Sequence, residues 1–161
     1  MISQEIFREY DIRGLADKEL SPDFVCLLGF ALGIYFKNHG HDTVIVGRDN
    51  RLSSERIFQD LSIGLATAGH KIVDINTVTT PLFYFSRLKY GINAGVMITA
   101  SHNPKEFNGF KIALGSGTIY GEEIQKIYRC CAALQGEEIS YIENPEISKI
   151  DPFLDYLHML I

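Results

Sequence analysis

The sequence predicts an α/β domain of three layers, α/β/α, with a mostly parallel mixed sheet and one antiparallel strand at its edge. Three short apolar runs rich in β-branched residues, 43–47, 71–75 and 94–98, alternate with segments of helical periodicity. A fourth apolar run, 109–114, follows the third after a loop too short for a crossover helix, so these two strands are antiparallel neighbours. Strands that alternate with helices are typical of a sheet covered on both faces.

The first part of the chain predicts an entry segment followed by a long buried helix. Residues 6–10 alternate apolar with charged side chains, which indicates a short strand or an extended entry segment, and Gly14 permits a turn after it. Ser21 and Pro22 form a helix start, with the serine as N-cap and the proline at the first helical position. The helix continues until Gly40 closes it, and its mostly apolar surface indicates burial.

Three further helices are predicted from their caps and spacing. One begins at residue 53 or 54 and carries apolar side chains at helical spacing until Gly69. A second begins at Thr80 and ends at Gly91. The third covers residues 122–134, after a glycine-rich turn.

The C-terminal stretch predicts a change of domain. We assign residues 1–145 to the α/β domain and residues 146–161 to a linker and the start of a truncated second domain. The apolar helix that opens after Pro152 stops in mid-pattern, with leucines that have nothing following to pack on. We therefore expect this chain to be a fragment of a longer protein.

Composition and charge argue against several classes of protein. Hydrophobic residues make up 46% of the 161 residues, which is enough for a core and excludes disorder. The net charge of −5 and the lack of a basic cluster argue against a nucleic-acid partner. The longest uncharged apolar run, residues 24–36, is shorter than the roughly 20 residues that span a bilayer. Three cysteines in neither a disulfide nor a zinc pattern, and no signal peptide, predict a soluble cytoplasmic protein.

Polar side chains follow the buried run 94–98, where ligands bind in sheets of this kind. The predicted hairpin brings Lys111 back toward Ser101 and His102, so a hydroxyl, an imidazole and an ammonium group are expected close together at the end of this loop. Ser101 and His102 are adjacent, so in an extended chain their side chains point to opposite sides. This disfavours a protease-like pair, in which the imidazole must contact the serine hydroxyl directly. If Ser101 is a nucleophile, this geometry favours a group large enough to be reached from both sides, such as a phosphoryl. The same loop also fits plain turn chemistry, with Asn103 and Pro104 setting a β-turn.

Four stretches together resemble the α-D-phosphohexomutases, in the order and spacing of that family. They are FREYDIRG at 7–14, GRDNRLS at 47–53, TASHNP at 99–104 and NGFK at 108–111. The resemblance covers about the first 145 residues, which look like the first of the family's four domains. The opening stretch is most similar to the phosphomannomutase/phosphoglucomutase branch.

The resemblance implies interconversion of hexose 1-phosphate and hexose 6-phosphate, of mannose or glucose or both, through a hexose 1,6-bisphosphate. Ser101 would carry the transferred phosphoryl group and, through its phosphate, bind Mg²⁺. Arg13 and Lys111 would supply cationic donors, and His102 or Lys111 would transfer the hydroxyl proton.

Other residues near these motifs are candidates for substrate or phosphate contact. Tyr10 is either structural or a hydrogen-bond donor near the site, and Asn103 either contacts the substrate or rigidifies the loop. Arg48 and Arg51 follow a strand, where they either contact phosphate or tie loops together.

Three other motifs of the family are absent from these residues: its acidic metal loop, its sugar-recognising loop and its distal phosphate-binding loop. Mg²⁺ would find at most one ligand here, whereas hard divalent cations need several oxygens at once. We therefore expect the chain to be inactive alone, with a phosphorylated hexose and the missing domains of the same polypeptide as its partners. The alternative is a stand-alone, non-catalytic module that binds sugar phosphates or another protein with the same loop.

Overall fold

A computed structural model describes all 161 residues of the chain. After a 3₁₀ turn at Gln4–Ile6, seven strands and five helices follow. In chain order they are β1 (Ile12–Leu15), α1 (Pro22–Asn38), β2 (Thr43–Arg48), α2 (Ser54–Thr67), β3 (Lys71–Thr77), α3 (Thr80–Tyr90), β4 (Ala94–Ile98), β5 (Phe107–Leu114), β6 (Gly117–Thr118), α4 (Glu122–Leu134), β7 (Ile147–Lys149) and α5 (Phe153–Leu160).

The strands form one mixed sheet in the order β1-β5-β4-β2-β3-β7, with β6 paired to β5. Strand β2 lies parallel to β3 and β4, and β7 lies parallel to β3. Strand β5 runs antiparallel to both of its long neighbours, β4 and β1. The three-layer α/β fold predicted from the sequence is therefore confirmed.

The core divides between the two faces of the sheet. A cluster of 28 buried residues packs α1, α2 and α4 on one face, and a cluster of eight includes Phe83 of α3 on the other. Helix α5 packs against α3, with the rings of Tyr156 and Phe85 5.2 Å apart and the Tyr90 hydroxyl donating to Asp155 at 2.8 Å. None of these helices is long and apolar enough to cross a bilayer.

Two strand predictions are wrong. The N-terminal strand lies at Ile12–Leu15 instead of residues 6–10, and Gly14 lies within it. A side chain on Gly14 would meet Glu19 and Ile6 at 3.0–3.2 Å, so this glycine serves close packing instead of a turn. The antiparallel strand β5 lies inside the sheet, because β1 pairs with its outer edge through main-chain hydrogen bonds that the pattern of residues 6–15 does not reveal.

The C-terminal residues lie against the α/β domain. Strand β7 continues the sheet beside β3, and Ile147 packs on the larger core cluster. Helix α5 has no buried residue, and several of its apolar side chains are exposed, including Phe153, Leu154 and Leu160. The assignment of residues 146–161 to a following domain remains a prediction.

Candidate active site

The loops after β2, β3 and β4 meet at one edge of the sheet because the carboxyl ends of parallel strands point the same way. Asp49 N–H donates to the Ile98 carbonyl at 2.9 Å, and Val78 N–H donates to the Arg48 carbonyl at 2.9 Å. These loops enclose an open cleft of about 1460 Å³. Its polar lining includes Ser101, Asn103, Asp49, Asn50, Thr77 and Thr79.

Ser101 lies exposed on the loop between β4 and β5, with a backbone φ of 55°. A residue with a Cβ rarely adopts this left-handed conformation, and such a conformation persists where the surroundings fix it. Ser101 N–H donates to the Thr99 hydroxyl at 3.1 Å, and Asn103 N–H donates to the Ala100 carbonyl at 3.1 Å. The serine hydroxyl is thus presented to the cleft by a loop that is hydrogen-bonded from within.

Arg51 ties this loop to the end of β2. Its guanidinium donates to four loop carbonyls, those of Ser101 at 3.0 Å, Asn103 at 2.8 Å, Pro104 at 2.7 Å and Phe107 at 3.1 Å. Its Nε donates to Asp49 at 3.1 Å. Of the two roles left open by the sequence, the structure places Arg51 in the loop-tying one.

Arg13 approaches the serine loop from β1. Its Nη1 donates to the Asn103 side-chain oxygen at 2.5 Å, and its Nη2 is paired with the buried Asp11 carboxylate. The Nε of Arg13 is buried without a partner. The contacts with Asn103 and Asp11 use two of the five N–H donors of the Arg13 guanidinium.

Lys111 lies on the same face of the sheet as Arg13. The neighbours of Lys111 along β5, Phe110 and Ile112, belong to the larger core cluster, so the lysine points to the opposite face. Arg13 pairs with Gly109, which makes Lys111 its diagonal neighbour on β5, and such neighbours are roughly 7–8 Å apart. Lys111 is partly buried, and its backbone pairs with Met97, four residues before Ser101.

The predicted residues are therefore only partly brought together. Ser101 and Asn103 line the cleft, whereas Arg13, His102 and Lys111 are not part of its lining. His102 is exposed beside the serine.

Arg48 and Tyr10 are not brought into the cleft. Arg48 is buried, where it pairs with Asp74 at 2.7 Å and Glu55 at 2.9 Å and stacks over the Phe58 ring at 4.4 Å. These contacts join β2 to β3 and α2. Tyr10 is 67% exposed, with its ring 6.4 Å from that of Tyr120.

Several residues that hold the loop were not predicted. Asp49 accepts from the Arg51 backbone at 3.1 Å and from the Ser54 hydroxyl at 2.7 Å. The buried Asn108 amide donates to the hydroxyls of Ser53 at 2.8 Å and Ser54 at 2.9 Å. An aspartate two residues before an arginine at a helix start is the signal for such a turn. The contact of Asn108 has no such local signal, because its partners Ser53 and Ser54 lie more than 50 residues away.

The cysteines and acidic residues offer no competing site. All three cysteines are free, and burial raises the pKa of the Cys26 thiol to about 11 and also raises the pKa values of Cys130 and Cys131. Protonated thiols are poor nucleophiles. No group of three or more histidine, cysteine, aspartate or glutamate side chains is placed to hold a metal ion.

Comparison with known proteins agrees with this arrangement. The family model described as phosphoglucomutase/phosphomannomutase, alpha/beta/alpha domain I, matches residues 4–137. A phosphoglucomutase of Neisseria gonorrhoeae is 39% identical over 126 residues, which are 78% of this chain and 27% of that protein. A phosphomannomutase/phosphoglucomutase of Pseudomonas putida is also 39% identical over 126 residues, with the same coverage.

One of the relatives is named for a different sugar phosphate. A probable phosphoglucosamine mutase of Pyrococcus furiosus is 37% identical over 147 residues, which are 91% of this chain and 32% of that protein. The chain thus spans about a third or less of the length of these curated relatives.

A solved structure supports the same assignment. The crystal structure of a phosphoglucomutase/phosphomannomutase family protein from Burkholderia thailandensis matches with a TM-score of 0.84 and 36% identity, over 98% of this chain and 35% of that one. Fold, loop sequences and relatives agree: the chain belongs to the phosphoglucomutase/phosphomannomutase family, in which it corresponds to the α/β/α domain I.

Proposed function

We propose that this chain is the phosphoserine domain of a phosphohexomutase that interconverts hexose 1-phosphate and hexose 6-phosphate, of mannose, glucose or both. The observation that carries this proposal is Ser101, an exposed hydroxyl held in a left-handed conformation at the mouth of the cleft. The names of the relatives support the reaction class, since they include a phosphoglucomutase and a phosphomannomutase/phosphoglucomutase.

The proposed chemistry is two phosphoryl transfers through Ser101 Oγ. In the first, the Oγ–P bond of phosphorylated Ser101 breaks while phosphorus bonds to a sugar hydroxyl oxygen, which gives a hexose 1,6-bisphosphate. The sugar hydroxyl loses its proton to a base, and the serine oxygen gains one. The second transfer returns the other phosphoryl group of the bisphosphate to Ser101, so phosphate and protons balance over the cycle.

The residues around Ser101 would stabilise the charge of the transferring phosphoryl group and move the hydroxyl proton. Arg13 contacts Asn103 of the serine loop, and Lys111 lies on the same sheet face as Arg13, so both cations would spread the charge of the transferring group. His102 or Lys111 would accept the hydroxyl proton. Asn103 would act mainly by linking Arg13 to the serine loop, and Tyr10 by contacting the sugar from the exposed side.

The same proposal includes what lies outside this chain. The residues present do not form a divalent-cation site, because no three ligands converge. A Ser101 phosphate would offer Mg²⁺ one oxygen, so the other ligands would come from a further domain of the same polypeptide. Residues 146–161 would be the linker to that domain, and the free cysteines fit a cytoplasmic location.

Phosphate mapping of the full-length protein tests the role of Ser101. We expect freshly purified protein to carry one phosphate on the peptide that contains Ser101, and Ser101→Ala to lose at least about 10³-fold in kcat because the acceptor oxygen is gone. Ser116→Ala, which removes an exposed serine from another turn, is the matched control and should be fully active. Phosphate confined to other residues, or full turnover by Ser101→Ala, would refute the assignment. Binding of a hexose phosphate without any turnover would instead support a non-catalytic module.

A further inference from the structure

We infer that Arg51 is a positioning residue that sets the orientation of the Ser101 hydroxyl. The guanidinium of Arg51 spans the whole serine loop, from the Ser101 carbonyl to the Phe107 carbonyl. The catalytic consequence of this contact rests on the proposed function, whereas the contact itself does not.

The donors of Arg51 are fully occupied. The five N–H groups of an arginine match five acceptors here: one carboxylate oxygen of Asp49 and the carbonyls of Ser101, Asn103, Pro104 and Phe107. The side chain is 13% exposed, and its charge is balanced by Asp49. Arg51 therefore has no donor left for a phosphate, so it acts on the substrate only through the loop.

We call the contacts of Arg51 with the serine loop and with Asp49 the clamp. Asp49 connects the clamp to α2 and β4. The Asp49 carboxylate also accepts from Arg51 N–H at 3.1 Å and from the hydroxyl of Ser54, the first residue of α2, at 2.7 Å. Asp49 N–H donates to the last residue of β4, Ile98, at 2.9 Å. Asp49 thus links the Arg51 guanidinium to α2 through its carboxylate and to β4 through its backbone N–H.

This arrangement explains how Ser101 keeps its left-handed backbone. A residue with φ of 55° relaxes to an extended conformation unless its neighbours hold it. Arg51 holds the Ser101 carbonyl, and Thr99 holds the Ser101 N–H, so both peptide groups that flank the Ser101 Cα are fixed. Since Oγ is one bond beyond Cβ, a change in this backbone moves the hydroxyl.

Arg51→Lys is the sharpest test, since it keeps the charge and replaces five planar donors with three. In the 161-residue chain, we expect hydrogen exchange at the Ser101, Asn103 and Phe107 amides to rise at least 10-fold, with exchange in β2 and β4 unchanged. In the full-length protein, we expect kcat to fall about 10²-fold with KM for the hexose phosphate within about 2-fold, because misplacement of a reacting group costs rate. Asp49→Asn, which keeps the size but weakens the hold on Arg51, should change both readouts in the same direction and to a smaller extent.

Arg87→Lys is the matched control. Arg87 is buried and, like Arg51, donates to main-chain carbonyls, those of Asn93 and Gly115, but it lies away from the serine loop. The Arg87→Lys substitution should leave hydrogen exchange in the serine loop and kcat per folded molecule unchanged, even if the melting temperature falls.

Each outcome decides a different point. Unchanged exchange in both Arg51→Lys and Asp49→Asn would overturn the clamp. A raised KM with unchanged kcat would make Arg51 a substrate ligand and would also overturn it. Faster exchange with unchanged kcat would overturn the positioning role while leaving the proposed function intact. If Ser101→Ala retains full turnover, the proposed function fails, and the exchange data alone then decide whether the clamp exists.

Discussion

Three of the four arginines in the two N-terminal motifs, Arg13, Arg48 and Arg51, differ in how many of their N–H donors are bonded within the fold. Arg48 is buried and paired with two carboxylates, and Arg51 has given every donor to the serine loop and Asp49. Arg13 uses one Nη1 and one Nη2 donor, and its Nε is buried without a partner. The sequence does not distinguish these cases, because all three follow or interrupt short apolar runs, and the acceptors of each lie on other elements.

We expect Arg13→Ala and Lys111→Met, made in the full-length protein, each to lower kcat by about 10²–10³ with a smaller rise in KM. Both cations lie on the same face of the sheet, and Arg13 contacts the serine loop through Asn103. A donor that acts on developing charge contributes more in the transition state than in the ground state. Steady-state kinetics and a melting curve for each variant provide the measurement.

Arg48→Lys is the control for this pair. It disturbs a buried ion pair, so it should lower the melting temperature and leave kcat per folded molecule nearly normal. If Arg13→Ala shows that same pattern, Arg13 is a structural residue, and a silent Lys111→Met would leave His102 as the only candidate for proton transfer on this chain.

At the scale of elements, the sequence predicts helices better than strands. Helix α1 begins at Pro22 and α4 ends at Leu134, as predicted, because caps and helical spacing are local signals. The Ser21 hydroxyl accepts from Phe24 N–H at 3.3 Å, as the cap predicts. The edge strand β1 was misplaced because its pairing with β5 joins residues almost 100 positions apart.

The contact between α1 and α2 depends on glycines that have no Cβ. A methyl group on Gly64 of α2 would lie 2.1 Å from the Cys26 carbonyl oxygen, and one on Gly29 of α1 would lie 2.4 Å from the Leu61 carbonyl oxygen. Both obstacles are helix backbone, which moves only if the helices separate. Gly29 and Gly33 are one turn apart in the sequence, but the partner helix is visible only in the structure.

Gly64→Ala should therefore destabilise the domain despite the higher helix propensity of alanine. The propensity gain is about 1 kcal/mol, whereas overpacking of this kind costs about 3 kcal/mol. The net loss of about 2 kcal/mol should lower Tm by roughly 4–8 °C for a chain of this size. Thermal unfolding followed by circular dichroism measures it.

Gly117→Ala is the matched control for this prediction. A methyl group there meets nothing within 4 Å, and Tm should change by less than about 2 °C. A Gly64→Ala protein as stable as the parent would show that α1 and α2 can separate at low cost.

At the scale of the whole molecule, the candidate site is a wide cleft that is open to solvent. The cleft of about 1460 Å³ is open and exceeds the roughly 300–1000 Å³ of typical ligand pockets, so a hexose phosphate would remain largely exposed to water in it. The serine loop was predicted from the sequence because its motif is local and specific. The extent of the site was not, because residues from α5, such as Phe153 and Tyr156, also line the cleft.

The 161-residue chain should fold but not catalyse sugar-phosphate isomerisation on its own. No three ligands converge to hold a divalent cation, so we expect Mg²⁺ to bind with Kd weaker than about 1 mM. Without that cation and without a second wall to exclude water, the phosphoryl charge is poorly stabilised, and turnover should lie at least about 10³-fold below that of the full-length protein. Calorimetric Mg²⁺ titration and a coupled mutase assay measure the two quantities, and the same chain carrying Ser101→Ala reports any contaminating mutase from the expression host. Turnover that disappears in Ser101→Ala but stays within about 10-fold of the full-length protein would mean that these 161 residues hold a complete site, and that Mg²⁺ ligands from another domain are not required.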